Sequence, residues 1–343
     1  MIPKERFESA LAMEAPDRPP LFYQHLSGGR WVLREAGSTI REGFSDPEVF
    51  ARICMTPKDM FGFDNLMAGW GDILVEAQAL GTRIGFPERD FYPRSTEYAI
   101  QGPEDVHSLE PVDPMDDPLW SVPLKAARMM VEQEKEMAVV GALNSPFVVA
   151  SELWGYENLL FALLSDPGVV HSLLSTVSES EMMFGDHLME AGVDICFIED
   201  ATAGAAQNSP ELSREFDVGH CKEVTDHLHD IGIRTLLHNC AESPYLEMQL
   251  DEIGPTAIHF NVEEVDMDDL LPRIRGRCCL MPGVDHRRLL FQGTPDQVRS
   301  EVGRIVGMMD PAGLIMAPGC EMPFKTPMEN IRAFREAVVE FSP

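Results

Sequence analysis

Basic residues are scarce in this chain. It has 27 lysines and arginines against 57 aspartates and glutamates, which gives a formal net charge of −30 at pH 7. Nucleic-acid binding depends on clustered lysines and arginines that neutralise phosphates, and attraction to an anionic membrane surface depends on the same residues. The composition therefore argues against nucleic acid and against a membrane surface as partners.

Long apolar runs are also missing. No stretch approaches the roughly 20 apolar residues of a membrane span, and the N-terminal segment lacks the basic-then-apolar order of a signal peptide. We therefore expect a cytoplasmic protein, in which thiols stay reduced. The seven cysteines follow no disulfide spacing, so metal binding or free thiols are their expected roles.

Short apolar runs alternate with longer segments of helical periodicity. This alternation predicts parallel strands, and eight strand–helix units close most naturally into a (β/α)8 TIM barrel. A doubly wound open sheet is the alternative, but the chain lacks the Gly-x-Gly-x-x-Gly loop that such sheets carry after the first strand. The predicted strands cover residues 20–23, 65–68, 138–143, 195–198, 234–238, 257–260, 279–282 and 314–317.

No linker-like stretch divides the chain, so we expect one barrel domain over residues 1–343. Residues 83–118 are rich in proline and charge and poor in helical periodicity. They predict an excursion near the barrel mouth, with a small hairpin at 91–100.

Polar residues follow most of the predicted strands, and in a barrel these strand ends meet at the face that carries active sites. His238 and Cys240 close the fifth predicted strand, and Cys320 follows the eighth. Because side chains alternate along a strand, His238 and Cys240 can face the same way. One imidazole and two thiolates suit Zn²⁺, and three protein ligands leave a fourth position open, as in catalytic zinc sites. The alternative is a histidine at the edge of the core with two small buried thiols.

Two thiolate ligands would favour reactions of a sulfur atom bound to such a zinc ion. Zinc lowers the pKa of a bound thiol or water. Charge donated by two thiolates keeps a bound substrate sulfur electron-rich, which favours alkyl transfer to sulfur over hydrolysis of a carbonyl. The fourth zinc position is left open between water and a carboxylate. The candidate carboxylates are those of Asp72, Glu152, Glu199, Asp200 and Glu321.

Blocks of sequence spread over nearly the whole chain are typical of one protein family. They are Arg-Pro-Pro at 18–20, Gly-Asp-Ile-Leu-Val-Glu-Ala at 71–77, Gly-Ala-Leu-Asn-Ser-Pro-Phe at 141–147, Ile-Glu-Asp-Ala-Thr-Ala-Gly at 198–204, Leu-His-Asn-Cys at 237–240, Gly-Val-Asp at 283–285 and Pro-Gly-Cys-Glu-Met-Pro at 318–323. In these blocks the chain resembles the uroporphyrinogen decarboxylase superfamily, and within it the cobamide-dependent methyltransferases. The resemblance implies a (β/α)8 barrel, and the methyltransferase branch implies zinc on His238, Cys240 and Cys320.

Two features separate this chain from the decarboxylases that it also resembles. Decarboxylases carry two arginines in an N-terminal segment, whereas residues 23–31 here keep Arg30 alone. An octacarboxylate porphyrinogen needs several cations at the barrel mouth, and a chain with a net charge of −30 provides few. Decarboxylases also lack the His-x-Cys pair and the late cysteine. Asp72 matches their central aspartate, so decarboxylation remains an alternative.

The resemblance therefore implies a zinc-dependent methyltransferase that works with a corrinoid-binding protein carrying cobalamin. A methyl group would pass from the corrinoid to a small-molecule thiol, or from a methylated small molecule to the corrinoid. The sequence leaves the direction and the oligomeric state open. Asp72, Glu199 and Asp200 would shape or protonate the site. A non-catalytic barrel that binds zinc or a corrinoid is the alternative from a different class of protein.

Overall fold

The computed structural model describes residues 1–26, 28–70, 73–87 and 91–342. The strands within these residues are β1 (Asn65–Ala68), β2 (Arg83–Gly85), β3 (Arg94–Glu97), β4 (Ala138–Asn144), β5 (Ile195–Glu199), β6 (Arg234–Asn239), β7 (Ala257–Asn261), β8 (Cys279–Val284) and β9 (Ala317–Pro318). Seven of them form a parallel sheet in the order β1-β4-β5-β6-β7-β8-β9. The strands β2 and β3 pair with each other as an antiparallel hairpin.

The chain segment around Leu21 closes the parallel sheet into a barrel. Leu21 forms a parallel bridge with Met316, immediately before β9. The amide of Phe22 donates to the carbonyl of Met316 at 2.9 Å, and the amide of Asp64 donates to the carbonyl of Leu21 at 2.8 Å. This segment therefore lies between β9 and β1 and fills the eighth position. The (β/α)8 barrel predicted from the sequence is confirmed.

Two of the eight predicted strands are shorter than their apolar runs. Residues 20–23 contribute a single bridge, and residues 314–317 contribute a bridge at Leu314 followed by the two-residue strand β9. Proline explains the first case, because Pro19 and Pro20 have no amide hydrogen to donate to a neighbouring strand. The other predicted strands coincide with β1 and with β4 to β8, to within two residues at their C-terminal ends.

Helices cover the outside of the sheet. The α-helices are Pro3–Leu11, Gly29–Ala36, Ile40–Gly43, Pro47–Phe61, Ile73–Ala79, Pro103–Val106, Ser121–Gln133, Pro146–Trp154, Tyr156–Ser165, Pro167–Glu190, Pro210–Leu212, Gly219–Asp230, Leu246–Glu252, Met267–Ile274, Pro295–Met308 and Met328–Phe341. Short 3₁₀ segments cover Pro114–Asp116 and Val262–Glu264, and π-helical segments cover Ser213–Val218 and His286–Phe291.

Local sequence signals explain where several helices begin. The amide of Thr294 donates to the side chain of Gln297 at 2.9 Å, and the amide of Gln297 donates to the hydroxyl of Thr294 at 3.4 Å. This capping box, with Pro295 at the first helical position, starts the helix after β8. Asp166 caps Pro167–Glu190 in a similar way, by accepting from the amide of Val169.

Among the residues that the structure describes, no single helix is long and apolar enough to cross a membrane. One pair of successive helices reaches that length and apolarity only when the two are counted together, and a bend of 105° separates them. These helices are Pro146–Trp154 and Tyr156–Ser165.

The predicted excursion after β1 contains the hairpin formed by β2 and β3. The sequence predicts the hairpin at 91–100, but only β3 lies in that range, and β2 precedes it. The hydroxyl of Tyr92 donates to the carboxylate of Glu321 at 2.7 Å, which places this part of the excursion at the barrel mouth. Its later part runs along the outer helix layer, where the amide of Val112 donates to the hydroxyl of Ser180 at 3.0 Å. Tyr92 therefore lies at the mouth, and Val112 lies against the outer helix layer.

Candidate metal centre

Four side chains that can bind a metal meet at the C-terminal end of the barrel. Glu199 is the last residue of β5, His238 lies near the end of β6, Cys240 follows β6, and Cys320 follows β9. One ligand atom from each of these residues lies within 4.8 Å of the corresponding atoms of the other three. Nitrogen, sulfur and carboxylate oxygen are the donors that Zn²⁺ prefers, and four of them complete its usual coordination.

Strand alternation places these groups on the inner face of the barrel. Glu199 and His238 are partners in the register between β5 and β6. The intervening Asn239 has its own set of partners: its amide nitrogen donates to the carbonyl of Ala203 at 2.8 Å and to the side chain of Gln249 at 2.9 Å. Its side-chain oxygen accepts from the backbone two residues further on at 2.9 Å. Asn239 thereby fixes the turn that carries His238 and Cys240.

Two glycines let the end of β9 approach the end of β8. The amide of Gly319 donates to the carbonyl of Val284 at 2.6 Å. A Cβ atom on Gly283 would lie 2.3 Å from the Cα of Gly319, and a Cβ atom on Gly319 would lie 2.8 Å from the side chain of Asn261. Only glycine fits at both positions, since the first contact is with backbone. This close approach carries Cys320 to its place beside Cys240.

His238 is fully buried, and neither of its ring nitrogens has a hydrogen-bond partner among the described residues. Its ring stacks on Phe197 with 5.4 Å between the centroids, and it lies 4.5 Å from the ring centroid of His259 at a tilt of 32°. Burial lowers the pKa of His238 well below its ordinary value, and the neighbouring His259 lowers it further. The imidazole is therefore neutral at neutral pH. An unpaired buried nitrogen costs about 1–3 kcal/mol, so a metal ion on one of these nitrogens fits the observed environment.

The two thiols are half-buried and lie next to each other. A hydrogen bond with Cys240 and then burial raise the pKa of Cys320 well above its ordinary value. The amide group of Gln24 also donates to the sulfur of Cys320 at 3.6 Å. Two adjacent thiols without a cation hold their protons, whereas a bound metal favours thiolates and releases those protons. The donor set therefore fits zinc.

Glu199 is held by a second histidine. The Nε2 atom of His25 lies 2.9 Å from Oε2 of Glu199. His25 has a φ of 52°, a left-handed conformation that is uncommon outside glycine. The strained turn points its imidazole at the carboxylate, so Glu199 combines a place in the ligand cluster with a hydrogen-bonding partner that orients it.

Of the other predicted acids, those that the structure describes lie outside the cluster. Asp200 is fully buried, and its carboxylate accepts hydrogen bonds from the amides of Thr202 and Ala203 and from the side chain of Gln249, the last at 2.6 Å. Burial raises the pKa of Asp200. Its contacts tie the turn after β5 to the helix after β6, which is a supporting position. Asp72 lies outside the residues that the structure describes.

The two remaining acid candidates contact the excursion. Glu321 accepts from the hydroxyl of Tyr92 at 2.7 Å and from the amide of Leu26 at 3.4 Å, and burial raises its pKa. Glu152 accepts from the hydroxyl of Ser95 at 2.9 Å. Neither carboxylate belongs to the group of four ligand atoms.

Sequence reasoning assigned no role to three residues that support the centre. His25 orients Glu199, and Gln249 joins Asp200 to Asn239. The ring of His259 packs against the ring of His238, and its Nε2 atom lies 2.8 Å from the carbonyl of Pro318. Only His25 carried a usable signal, because it follows a predicted strand in the same way as the other polar strand-end residues.

A pocket of about 410 Å³ opens beside the two thiols. Residues after β6, β7, β8 and β9 form its wall. They are Cys240, Asn261, Glu263, Glu264, Asp285, His286, Arg287, Arg288 and Cys320. Arg30 lines a different pocket, together with Phe324, and its guanidinium lies 5.3 Å from the ring centroid of Trp31.

The fold and this cluster define a (β/α)8 barrel enzyme scaffold with a candidate metal centre at its C-terminal face. Residues 2–341 match the family model described as Uroporphyrinogen decarboxylase (URO-D), so the chain belongs to that family. The family resemblance read from the sequence is confirmed.

Relatives with two different activities align over nearly the whole chain. The methylcobamide:CoM methyltransferase MtbA of Methanosarcina mazei is 23% identical over 99% of this chain and 98% of its own length. The methylcobamide:CoM methyltransferase MtaA of Methanosarcina barkeri is 21% identical over 98% of each chain. A uroporphyrinogen decarboxylase of Anaeromyxobacter dehalogenans is 23% identical over 98% of each chain. Overall identity therefore does not separate the two activities.

A solved structure shows the same fold. The structure described as a methyltransferase from Methanosarcina mazei superposes with a TM-score of 0.90, covers 99% of each chain and has 22% sequence identity to this chain. This chain therefore shares its overall fold with that solved structure.

Proposed function

We propose that this chain is a zinc-dependent methyltransferase that moves a methyl group between a corrinoid on a partner protein and a thiol or a methylated small molecule. The observation that carries the proposal is the convergence of Glu199, His238, Cys240 and Cys320 within 4.8 Å of one another. The nearly full-length alignments with methylcobamide:CoM methyltransferases support the reaction class. In our proposal the corrinoid protein docks at the barrel mouth, where the four side chains lie.

The residues of the centre divide into fixed and exchangeable groups. His238, Cys240 and Cys320 would hold the metal throughout. Glu199 would occupy the position that a substrate sulfur takes, because His25 already offers its carboxylate another partner at 2.9 Å. Bound zinc supplies one kind of chemistry here: it lowers the pKa of a substrate thiol so that the thiolate forms at neutral pH.

The methyl transfer itself is a displacement at carbon. In the direction of a thiol acceptor, a sulfur–carbon bond forms, the cobalt–carbon bond breaks, and the electron pair of that bond stays on cobalt. The thiol proton leaves when the sulfur binds. In the direction of a methylated donor, a cobalt–carbon bond would form on the Co(I) corrinoid, the bond between the methyl carbon and the sulfur, oxygen or nitrogen of the donor would break, and the electron pair of that bond would leave with the donor atom. Both directions need a sulfur or another donor atom held at the four side chains.

Decarboxylation of a porphyrinogen fits this site less well. Such a substrate presents several carboxylates, and recognition would need several cations around the cluster. The pocket beside the thiols has three acidic residues in its wall and only two arginines. Arg30, the arginine that matches the decarboxylase pattern, lines a separate pocket. A buried imidazole close to two adjacent thiols also has no task in metal-free decarboxylation.

The metal content of purified protein tests the proposal. We expect about one zinc ion per chain, and we expect Cys320→Ser to lose most of it while the barrel stays folded, because the thiol lies beyond the large core. Cys278→Ser is the matched control, since Cys278 is a buried thiol directly before β8 and is not part of the ligand cluster. Zinc content is measured by atomic absorption, and folding by circular dichroism.

Two results would count against this function. Normal zinc content in Cys320→Ser would remove the cluster as the metal site. If the protein forms coproporphyrinogen from uroporphyrinogen at an enzymic rate, its activity is that of a decarboxylase.

A further inference from the structure

The pocket beside the thiols contains charges that neutralise each other and charges that do not. Arg288 forms ion pairs with Glu263 and, at 3.7 Å, with Asp285. Asp285 also accepts hydrogen bonds from the backbone amides of Arg287 and Arg288, where it caps the following helical turn. These contacts satisfy three of the five charged side chains in the wall.

Glu264 and Arg287 are the two charged side chains of this wall that make no ion pair within the described part of the chain. Glu264 is half-buried. Burial, and then repulsion from Glu242 and Asp285, raise the pKa of its carboxyl group, while Arg287 acts in the opposite direction. The Glu264 carboxylate and the exposed guanidinium of Arg287 therefore influence each other without forming an ion pair, so each can still pair with a ligand group of opposite charge.

A third polar group in the wall also lacks a partner. His286 is 8% exposed, and its Nδ1 atom has no hydrogen-bond partner among the described residues. A buried ring nitrogen without a protein partner is expected to bind an ordered water. The wall therefore offers one anion and one cation that form no ion pair, within a single pocket that also contains Cys240 and Cys320.

One kind of small molecule satisfies both charged groups together. A molecule with a carboxylate alone would gain Arg287 but would face Glu264, and a molecule with an ammonium group alone would gain Glu264 but would face Arg287. An amino acid carries both charges on one carbon and leaves its side chain free to reach the two thiols. The volume of about 410 Å³ lies in the range of small-ligand pockets.

We propose that the substrate of this centre is a zwitterionic amino acid with a thiol or methyl-thioether side chain, whose carboxylate pairs with Arg287 and whose ammonium group pairs with Glu264. This inference rests on the proposed function, because it takes the sulfur to be the atom that binds beside Cys240 and Cys320. It adds the class of substrate and the two residues that select it.

The test uses protein loaded with Co²⁺, whose absorption spectrum changes when a thiolate binds the metal. Four thiols that differ in charge are titrated: homocysteine as the zwitterion, 3-mercaptopropionate as the anion, cysteamine as the cation and 2-mercaptoethanol as the neutral compound. We expect homocysteine to bind up to about fivefold more tightly than 3-mercaptopropionate or cysteamine, which lack one charge, and more tightly still than 2-mercaptoethanol, which lacks both, since each partly exposed charge pair contributes about 1 kcal/mol or less.

Two variants separate the charges. Arg287→Ala should weaken homocysteine and 3-mercaptopropionate by about fivefold and leave cysteamine unchanged or slightly tighter. Glu264→Gln should weaken homocysteine and cysteamine by a similar factor and spare 3-mercaptopropionate. Arg332→Ala, an exposed arginine on helix Met328–Phe341 outside the pocket wall, is the control and should change no affinity.

The outcomes distinguish this inference from the function on which it rests. If all four thiols bind with equal affinity, or if the anionic thiol binds best, the substrate is not a zwitterionic amino acid. Thiol binding at the metal would still be supported, because the Co²⁺ spectrum changes. If no thiol changes the spectrum of metal-loaded protein, both the inference and the thiol reaction fail.

Discussion

Glu181 is a carboxylic acid enclosed by the helix layer of the barrel. Its side chain is fully buried, and neither oxygen has a hydrogen-bond partner among the described residues. Burial raises the pKa of Glu181 well above its ordinary value, and repulsion from the neighbouring Glu76 raises it further. The folded protein therefore keeps a proton on Glu181 at a pH at which the unfolded chain gives that proton up.

This difference in proton binding makes stability depend on pH. A carboxyl group with a raised folded-state pKa destabilises the fold increasingly as pH rises above its unfolded value of 4.5. Glu181→Gln removes this dependence, so the variant should gain stability over the parent between pH 5 and pH 8, by up to about 1.4 kcal/mol per pH unit. Urea denaturation at several pH values measures the difference.

The exposed Glu179 on the same helix provides the control, and Glu179→Gln should follow the parent at every pH. The quantity compared is the way in which the stability difference between variant and parent changes with pH. The size of that difference at a single pH is not used, because it also includes the hydrogen bonding of the new amide at position 181. Parallel stability profiles for Glu181→Gln and the parent would show that Glu181 is ionised in the fold, contrary to the account.

At the same scale, the sequence pointed to three of the four clustered side chains. His238 and Cys240 share a face because they are two residues apart on one strand, and Cys320 follows another strand end. The acid was harder to select. Glu199 and Asp200 are neighbours at the end of β5, and a single step along the strand decides that the first joins the cluster and the second points to Gln249.

At the scale of elements, the ends of β8 and β9 depend on two glycines. A Cβ atom on Gly283 would lie 2.3 Å from the Cα and 2.6 Å from the amide nitrogen of Gly319. Both contacts are with backbone, so the clash cannot be relieved by turning a side chain. The end of β9, and Cys320 with it, would have to move.

Gly283→Ala should therefore weaken zinc binding with little loss of secondary structure. Displacing one ligand by a fraction of an ångström is comparable to losing a group that orients a ligand, which costs about 10–100-fold in metal affinity. Competition with a chelator of known affinity measures the change. Gly307→Ala is the matched control, because nothing lies within 4 Å of a Cβ atom at Gly307. Equal zinc affinity in Gly283→Ala and the parent would mean that β8 does not position Cys320.

The elements themselves were mostly predictable, and the exceptions have physical causes. Apolar runs located β1 and β4 to β8 because buried parallel strands are apolar on both faces. The segment around Leu21 formed only a bridge, because the prolines before it lack amide hydrogens. The hairpin β2–β3 pairs residues across an intervening loop, and exposed strands of this kind have no continuous apolar pattern to reveal their register.

At the scale of the whole molecule, one barrel serves relatives with different activities. A methylcobamide:CoM methyltransferase and a uroporphyrinogen decarboxylase each share 23% identity with this chain over nearly its full length. The fold therefore leaves the reaction open, and the assignment depends on the side chains at the mouth. The cluster of Glu199, His238, Cys240 and Cys320 is the feature of the described residues on which our proposal of methyl transfer stands.

Methyl transfer to or from a corrinoid tests that proposal most directly. Zinc-loaded protein is mixed with methylated corrinoid protein, or with free methylcobalamin at high concentration, and with a panel of small thiols. In the opposite direction, the zinc-loaded protein is mixed with Co(I) corrinoid and with methyl thioethers, methyl ethers and methylamines. The absorption spectrum of the cobalamin reports the methyl–Co(III) and Co(I) states.

We predict conversion between these states in at least one direction, at a rate that requires zinc and that Cys320→Ser abolishes. A free thiol with a pKa near 8.5 is only a few per cent ionised at neutral pH, so the reaction without the metal should be slow. Absence of methyl transfer in both directions with folded, zinc-loaded protein would contradict the account.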